Sequence, residues 1–361
     1  MQKRNVYLLG ITSFLNDLSS EIILPILPFF LKSFGAPYLG IGFVGGIIEG
    51  FSSVAKVISG YFSDLFGKRK PIVFLGYLIS QISKALLAHS SSTISASFFV
   101  ALDRFGKGIR TSPRDALISE SKWDSGKAFG LHRSLDTLGA TLGSFIALLL
   151  ITYGFGYSKA IIFAAIIGFL SVIPIVFVKE TGRATKPVLD IGIRKYTAFA
   201  IFLGFCNVSY MFFLLKASYF GVEFAIALYL LYNVVYALTS YPFGILSDKF
   251  GKTKILSLAY ALLSISSLFM LRNSLEFFVA AFILYGLFMA ISDAQQRAFA
   301  SELSVSKGFG IGAFQFSYGI STIIGNTLVG FIADISPNYV FVYLALVSLI
   351  ASVVYWLYKQ S

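Results

Sequence analysis

Asp103, Lys107, Arg110 and Arg114 follow one another at spacings of four, three and four within a single apolar stretch. That spacing places them on one stripe of a helix, with Arg104 and Asp115 on the adjacent stripe. Arginine binds carboxylate and phosphate well, so the stripe reads either as a path for anions or as one side of a salt-bridge network. Acids for such a network are present in the same half of the chain: Asp17, Glu21, Glu49 and Asp136. Asp17 and Glu21 are four residues apart and share a helix face. Two nearby carboxylates resist ionising together, so one of them can hold a proton near neutral pH. Proton coupling needs such a group, and Asp17 or Glu21 is the expected carrier, with Glu49 as a second candidate. The acids Asp17, Glu21, Glu49, Asp103, Asp115 and Asp136 balance the cations Lys56, Arg104, Lys107, Arg110, Arg114 and Arg133. That balance favours pairing over a free cationic pocket. Lys56 is expected to snorkel and His132 to be solvated, near one end of its helix. Asp293 and Arg297, four apart, are expected to pair. Around Phe202, Phe205, Tyr210, Phe212, Phe213, Tyr229, Tyr232 and Tyr236 the sequence offers an aromatic wall.

The elements that carry these groups are membrane helices. The chain has 361 residues, of which 57% are hydrophobic and 13% charged, and its mean hydropathy is +0.80. A soluble domain is about a quarter charged, so this surface needs lipid. A spanning helix takes about 20 mostly apolar residues. Runs of that kind can be drawn at 5–31, 38–60, 71–89, 94–118, 127–153, 158–178, 196–217, 222–246, 255–271, 274–299, 308–334 and 338–358. The first run is too long for a signal-peptide core, and no cleavage site closes it. Basic residues such as Lys68, Arg69, Lys70, Lys179, Lys249 and Lys252 fall on one side; Lys32, Lys159, Lys216 and Arg272 fall on the other. The bias predicts both termini in the cytoplasm. It also accounts for the net charge of +12 without nucleic acid as a partner. The single cysteine, Cys206, and the two histidines, His89 and His132, make neither an intrachain disulfide nor a metal cluster. No Gly-x-x-x-x-Gly-Lys-[Ser/Thr] loop is present, so ATP is not an expected fuel, and no cofactor is expected.

The two halves repeat each other. Gly60-Tyr-Phe-Ser-Asp64-Leu-Phe-Gly67-Lys68-Arg69-Lys70 returns as Gly244-Ile-Leu-Ser-Asp248-Lys-Phe-Gly251-Lys252-Thr-Lys254. Ala116-Leu-Ile-Ser-Glu120 returns as Ala298-Phe-Ala-Ser-Glu302, and Lys127-Ala-Phe-Gly130 as Lys307-Gly-Phe-Gly310. The matches are collinear, as in parallel transporter repeats. The expected organisation is all-α and integral to the membrane: twelve transmembrane helices in two pseudo-symmetric six-helix bundles, 1–178 and 196–361, joined by a polar cytoplasmic linker at 179–195.

The repeated loop resembles the signature loop of the major facilitator superfamily, roughly Gly-x-x-x-Asp-x-x-Gly-basic-basic, and both copies follow the expected spans. Gly60 and Gly244 are expected to permit close helix contact, and Gly67 and Gly251 a tight turn. The resemblance implies a cytoplasmic gate built from Gly60, Asp64, Gly67, Lys68, Arg69, Arg114, Asp115, Gly244, Asp248, Gly251 and Lys252. Arg104-x-x-x-Gly108 resembles the core of the superfamily's fourth-helix motif and implies proton handling or bundle closure by Arg104. Gly130, Gly139-Ala-Thr-Leu-Gly143 and Ser144 partly resemble the antiporter motif of its drug exporters, with Ala140 for its proline and Ser144 for its last glycine.

These features together predict a secondary active transporter working by alternating access as a monomer in the cell membrane, not an enzyme. The first expectation is proton-coupled export of a small, partly apolar solute. The alternative is proton-coupled symport of an anionic solute. A membrane-embedded enzyme or a transport-dead receptor is the remote alternative, since no nucleophile–base set accompanies the repeat.

Overall fold

The computed structural model describes residues 2–121, 125–180, 194–302 and 307–358, with the side chains of Gln2, Val57, Gly60, Tyr61, Asp64, Phe66, Ser125, Gly126, 194–198, Ala294, 297–302 and 307–313 not placed. The described residues are helical apart from turns and short connections. Lipid offers no hydrogen bonds to backbone groups, and a helix satisfies its own. Among the described residues, eight helices are long and apolar enough to cross a membrane, and nine if one bent pair counts as a span. Large apolar side chains such as Phe98, Leu238 and Trp356 stand exposed on these helices, which is what a lipid-covered surface requires.

Several runs that look continuous in sequence are broken. The first is α1 (Gln2–Ile23) followed by α2 (Leu27–Ser33), bent by 40°. Pro25 lies in the break, where it withholds a backbone donor. The second is α3 (Tyr38–Gly46), a π-helical turn at Ile47–Phe51, and α4 (Ser52–Phe66). The π turn carries Glu49, and such turns often mark functional positions. Next come α5 (Lys70–Leu87), α6 (Thr93–Ser119), α7 (Ser125–Thr152), α8 (Tyr157–Leu170) and the short α9 (Ile173–Val176). The seventh run is α10 (Arg194–Cys206) and α11 (Tyr210–Ala217). Asn326 fills the gap between them: its Oδ1 accepts from the Ser209 N–H at 2.7 Å, and its Nδ2 donates to the Asn207 carbonyl at 2.7 Å. The rest are α12 (Val222–Phe250), α13 (Lys252–Phe269), α14 (Leu275–Glu302), α15 (Lys307–Ile335) and α16 (Pro337–Leu357).

The chain forms two compact units, Met1–Ala36 with Ile47–Val188, and Pro37–Gly46 with Leu189–Ser361. In the first, α1 lies along α7 and α6 packs on both α5 and α4; in the second, α10 lies along α15 and α14 packs on both α13 and α12. The sequence repeat is thus a repeat of packing. Helix α3 joins the second unit through glycine. A Cβ on Gly42 would lie 2.2 Å from the Asn326 carbonyl oxygen, and one on Gly330 would lie 2.5 Å from that of Tyr38. The backbones of α3 and α15 therefore touch directly.

Asp334, near the end of α15, caps α3. Its Oδ1 accepts from the Tyr38 N–H at 2.8 Å and its Oδ2 from the Leu39 N–H at 3.0 Å. Both are donors that a helix start leaves unsatisfied. Asp334→Ala is expected to lower stability by about 1 kcal/mol, and Asp334→Asn by less. Thermal unfolding in detergent checks this ordering.

Candidate functional site

The first unit holds a charged interior between α1, α5, α6 and α7. It exists because α5 and α6 run antiparallel with almost nothing between their backbones. A Cβ on Gly76 would lie 2.7 Å from the Gly106 carbonyl oxygen, and one on Gly106 would lie 2.6 Å from that of Gly76. This contact sets the register of the polar groups along the pair. Arg110 lies over the face of Tyr77, with its guanidinium carbon 4.2 Å from the ring centroid, and Ser80 donates to Asp103 Oδ1.

Asp103 also pairs with Arg104, Oδ2 to Nη2 at 2.8 Å. Both residues are buried, so each offsets the other's desolvation. Arg114 reaches Asp115 Oδ1 through Nη2 at 2.8 Å and Nε at 3.0 Å, and donates to Ser13 Oγ through Nη1 at 3.0 Å. His132 Nδ1 lies 3.4 Å from Asp136 Oδ2. His132 is buried, which corrects the expectation of a solvated histidine. It sits one turn from Asp136 on the face of α7 turned into the unit, where the acid gives it a partner. Arg133 is on the exposed face of α7 instead, although its charge acts on Asp136.

Asp17 is held differently from these acids. It is half-buried and accepts one hydrogen bond, from its neighbour Asn16 Nδ2 at 3.0 Å. The positive charges acting on it are Lys107, Arg110 and Arg114. Lys107 is half-buried and feels both Asp17 and Glu21. Glu21 packs close to α7, since a Cβ on Gly143 would lie 2.8 Å from its own Cβ. Glu49 is half-buried on the π turn.

Lys84 is the residue that the sequence reading missed. It is 2% exposed, and its ammonium donates to Ser20 Oγ at 2.9 Å, Ser19 Oγ at 3.2 Å and the Asn16 carbonyl at 3.5 Å. Gln81 donates to Asn16 Oδ1 at 2.9 Å. Tyr77, Ser80, Gln81 and Lys84 form an i, i+3, i+4, i+7 stripe, the polar counterpart of the stripe on α6. A period count over 71–89 would have exposed it. Adding Lys84 removes the balance of acids and cations on which the pairing expectation stood. A recess beside Ser20, Leu27, Lys84, Asp103 and Arg104 has room for little more than one water molecule.

At the end of the first unit nearest the signature loop, Gly67 caps α4 in the left-handed region, with φ 62°, and its N–H donates to the Ser63 carbonyl at 2.9 Å. Arg69 is buried and pairs with Glu120. Two separately repeated motifs meet in that pair. The Lys70 N–H donates to Glu180 Oε2 at 2.8 Å, and Lys68 is exposed. In the second unit Gly251 ends α12 with φ 92°, while Asp248 is exposed and Lys252 half-buried. Thr253 stands where the first copy has Arg69. Gly244 does not make the expected close contact, because a Cβ there would meet nothing within 4 Å. The side chains of Asp64 and Arg297 and the surroundings of Gly60 lie outside the described residues, so the expected Asp293–Arg297 pair does as well. Asp293 accepts from Tyr236 OH at 3.3 Å.

The aromatic wall is partly a packed cluster. Tyr210, Tyr229, Tyr232, Tyr285 and Phe213 form a chain with successive ring centroids 5.2, 5.4, 5.3 and 4.6 Å apart. Tyr210, Tyr229 and Phe213 are buried, whereas Tyr232 and Tyr236 are half-buried.

The profile of the Major Facilitator Superfamily matches residues 9–214 and 197–361. An MFS-type transporter of Methanocaldococcus jannaschii is 41% identical, over 96% of this chain and 93% of the relative. A solved structure of the nucleoside transporter NupG is 14% identical with a TM-score of 0.82, over 98% of this chain and all of that one. A POT family transporter in complex with 5-aminolevulinic acid is 11% identical with a TM-score of 0.77, over 97% of this chain and 95% of that one.

Proposed function

The chain belongs to the major facilitator superfamily, and we propose that it is a proton-coupled secondary transporter that works by alternating access, with Asp17 as the coupling carboxylate. The carrying observation is the contrast among its interior acids. Asp103 and Asp115 each have an arginine partner and Asp136 has His132 at 3.4 Å with its Oδ1 left unpaired, while Asp17 has one neutral hydrogen bond, from Asn16. A carboxylate held by neighbouring cations without a tight pair can give up and regain a proton as those cations are engaged or released. In this reading the chain has twelve spans with both termini in the cytoplasm of the cell. The loop at Gly67–Lys70, tied through Arg69 to Glu120, belongs to its cytoplasmic gate.

The half-buried Tyr232 and Tyr236 support a small, partly apolar solute. Export has the resemblance of Gly130, Gly139 and Gly143 behind it, yet helix packing already accounts for the last two: a Cβ on Gly139 would lie 2.4 Å from the Phe14 carbonyl oxygen, and one on Gly143 would lie 2.5 Å from that of Leu18. Symport of an anionic solute is the second reading, and the buried cations Lys84 and Arg110 favour it.

The test is proton movement in proteoliposomes under an imposed pH gradient, with solutes added in pools. Wild-type protein is expected to move protons when its solute is present. Asp17→Asn is expected to fall to the level of empty vesicles while still folding. Normal solute-dependent proton movement in Asp17→Asn would remove Asp17 from the mechanism.

A further inference from the structure

We propose that the cavity between the ends of α3, α11 and α16 binds an anionic membrane lipid, with the lipid phosphate on Lys216 and the start of its chains against the aromatic lining. All the residues that line it belong to the second unit, and the site does not depend on proton coupling.

The cavity measures about 300 Å³, the lower end of the range for small-molecule sites. Buried Phe212 and Phe341 form its inner end, and exposed Tyr219 and Pro337 its mouth. Half-buried Tyr38, Leu215 and Lys216 stand between. Three helix ends meet here: α11 stops at Ala217, α16 starts at Pro337 and α3 starts at Tyr38, the last fixed by the Asp334 carboxylate. From this end α12 runs 29 residues to the second signature loop, about 43 Å at 1.5 Å per residue. That exceeds the hydrocarbon core of about 30 Å, so the cavity lies at headgroup level on the membrane face opposite that loop. Tyr219 and Tyr339, exposed at the same end, suit an interfacial aromatic belt.

Lys216 is the cation of this cavity. It sits on the last turn of α11, and its ammonium donates to Asn338 Oδ1 at 2.8 Å. That partner is neutral, and among the described residues no carboxylate pairs with Lys216. An ammonium has three donors, so two remain for an anion. The acids at this end are placed elsewhere. Asp334 is committed to the N–H groups of Tyr38 and Leu39, while Glu223 and Glu276 lie on the first turns of α12 and α14.

The surface around the mouth makes the occupant a lipid. Leu39 and Phe43 on α3, Phe331 and Ile335 on α15, and Val342 and Leu346 on α16 are all exposed. Each pair is four residues apart and continues one helix face. Asn338, which holds Lys216, is one turn from Val342 on the same face. An apolar path thus leads from the lysine along α16, where an acyl chain can lie while the headgroup meets the charge. A soluble phosphate would use the lysine and leave the rings and this path uncovered.

The experiment uses the purified full chain, delipidated in detergent, and four probes: dioleoyl phosphatidylglycerol, dioleoyl phosphatidylcholine, dioleoylglycerol and glycerol 3-phosphate. Native mass spectrometry counts bound probe, and thermal unfolding reports stabilisation and shows that each variant is folded. One phosphatidylglycerol per chain is expected to bind about tenfold more tightly than dioleoylglycerol, roughly the worth of one charge-assisted hydrogen bond. Phosphatidylcholine, whose choline offsets its phosphate, is expected to fall between them. Lys216→Gln, which can keep the bond to Asn338, is expected to abolish the preference, and Lys216→Arg to retain it. Leu215→Trp, which fills the cavity and leaves the charge, is expected to weaken phosphatidylglycerol as well. Lys159→Gln, at an exposed lysine of the first unit, is expected to change nothing. Equal binding of phosphatidylglycerol and dioleoylglycerol, an undiminished preference in Lys216→Gln, or an equal loss in Lys159→Gln overturns the site. Glycerol 3-phosphate binding as tightly as phosphatidylglycerol would make it a site for a soluble anion and overturn the lipid.

Discussion

Asp103→Ala is expected to lower stability by about 3–5 kcal/mol, the range for removing one partner of a buried ion pair. The Asp103 carboxylate holds Arg104 Nη2 at 2.8 Å and takes the Ser80 hydroxyl. Its loss leaves a guanidinium that is 5% exposed without its acid, and a serine without its acceptor. The informative comparison is the double variant Asp103→Ala, Arg104→Met. Removing both charges takes away the uncompensated guanidinium, so the double variant is expected to recover the part of the loss that Arg104 carries, while buried Lys84, which Asp103 also faces, lacks that charge in both. Thermal unfolding of both in detergent decides the matter. A double variant less stable than the single one would mean that Arg104 is held mainly by other groups.

A comparable effect is expected at the glycines that join α1 to α7. Gly139→Val places a side chain where the Phe14 carbonyl oxygen lies 2.4 Å from the Cβ alone, and the neighbouring contact at Leu18 N is 3.2 Å. The obstacles are backbone, so neither helix can give way by turning a side chain. Overpacking typically costs about 1–3 kcal/mol, and this position belongs at the upper end. Transport is expected to fall too, because α1 carries Asp17 and Glu21. Gly130→Ala is the internal control. It changes the third glycine of the same sequence pattern, but a Cβ there meets nothing within 4 Å, so transport should not move and stability should hold or rise by up to about 1 kcal/mol. Equal damage at Gly130 and Gly139 would favour a shared functional motif over packing.

Much of the first unit was legible because charge stands out in an apolar chain. Asp17, Glu21, Glu49 and the α6 stripe were found for that reason, and the signature loops because their Gly-x-x-x-Asp-x-x-Gly-basic pattern recurs in both halves; the glycines ending their helices, Gly67 and Gly251, have positive φ. Other features left weaker marks. Lys84 was overlooked as one basic residue among apolar neighbours, and only the period linking it to Tyr77, Ser80 and Gln81 gives it away. The burial of His132 depends on which face of α7 meets its neighbours, and a helix end seen in sequence alone suggests water instead. The Arg69–Glu120 pair joins motifs about fifty residues apart in sequence, and the motifs' spacing says nothing of their contact. The packing of α3 on α15 was out of reach, since small residues are common in membrane helices and only geometry shows which ones touch. The π turn at Ile47–Phe51 has no residue signature.

The antiparallel contact of α5 and α6 also bears on how the chain enters the bilayer. Helix α6 carries Asp103, Arg104, Lys107, Arg110, Arg114 and Asp115. During synthesis a single charged side chain near the centre of an inserting helix costs about 2.5–3.5 kcal/mol. A lone α6 would therefore not partition from the translocon into lipid. Paired with α5 it presents a different object. The Gly76–Gly106 contact, the Arg110–Tyr77 stack and the Ser80–Asp103 bond turn much of the charge inward between two helices joined by a short connection. The unit of insertion is then the hairpin, and α5 serves as the intramolecular chaperone of its successor. Lys84 extends the dependence backward, because its ammonium is satisfied by Ser19, Ser20 and Asn16 of α1, a helix already made when α5 emerges.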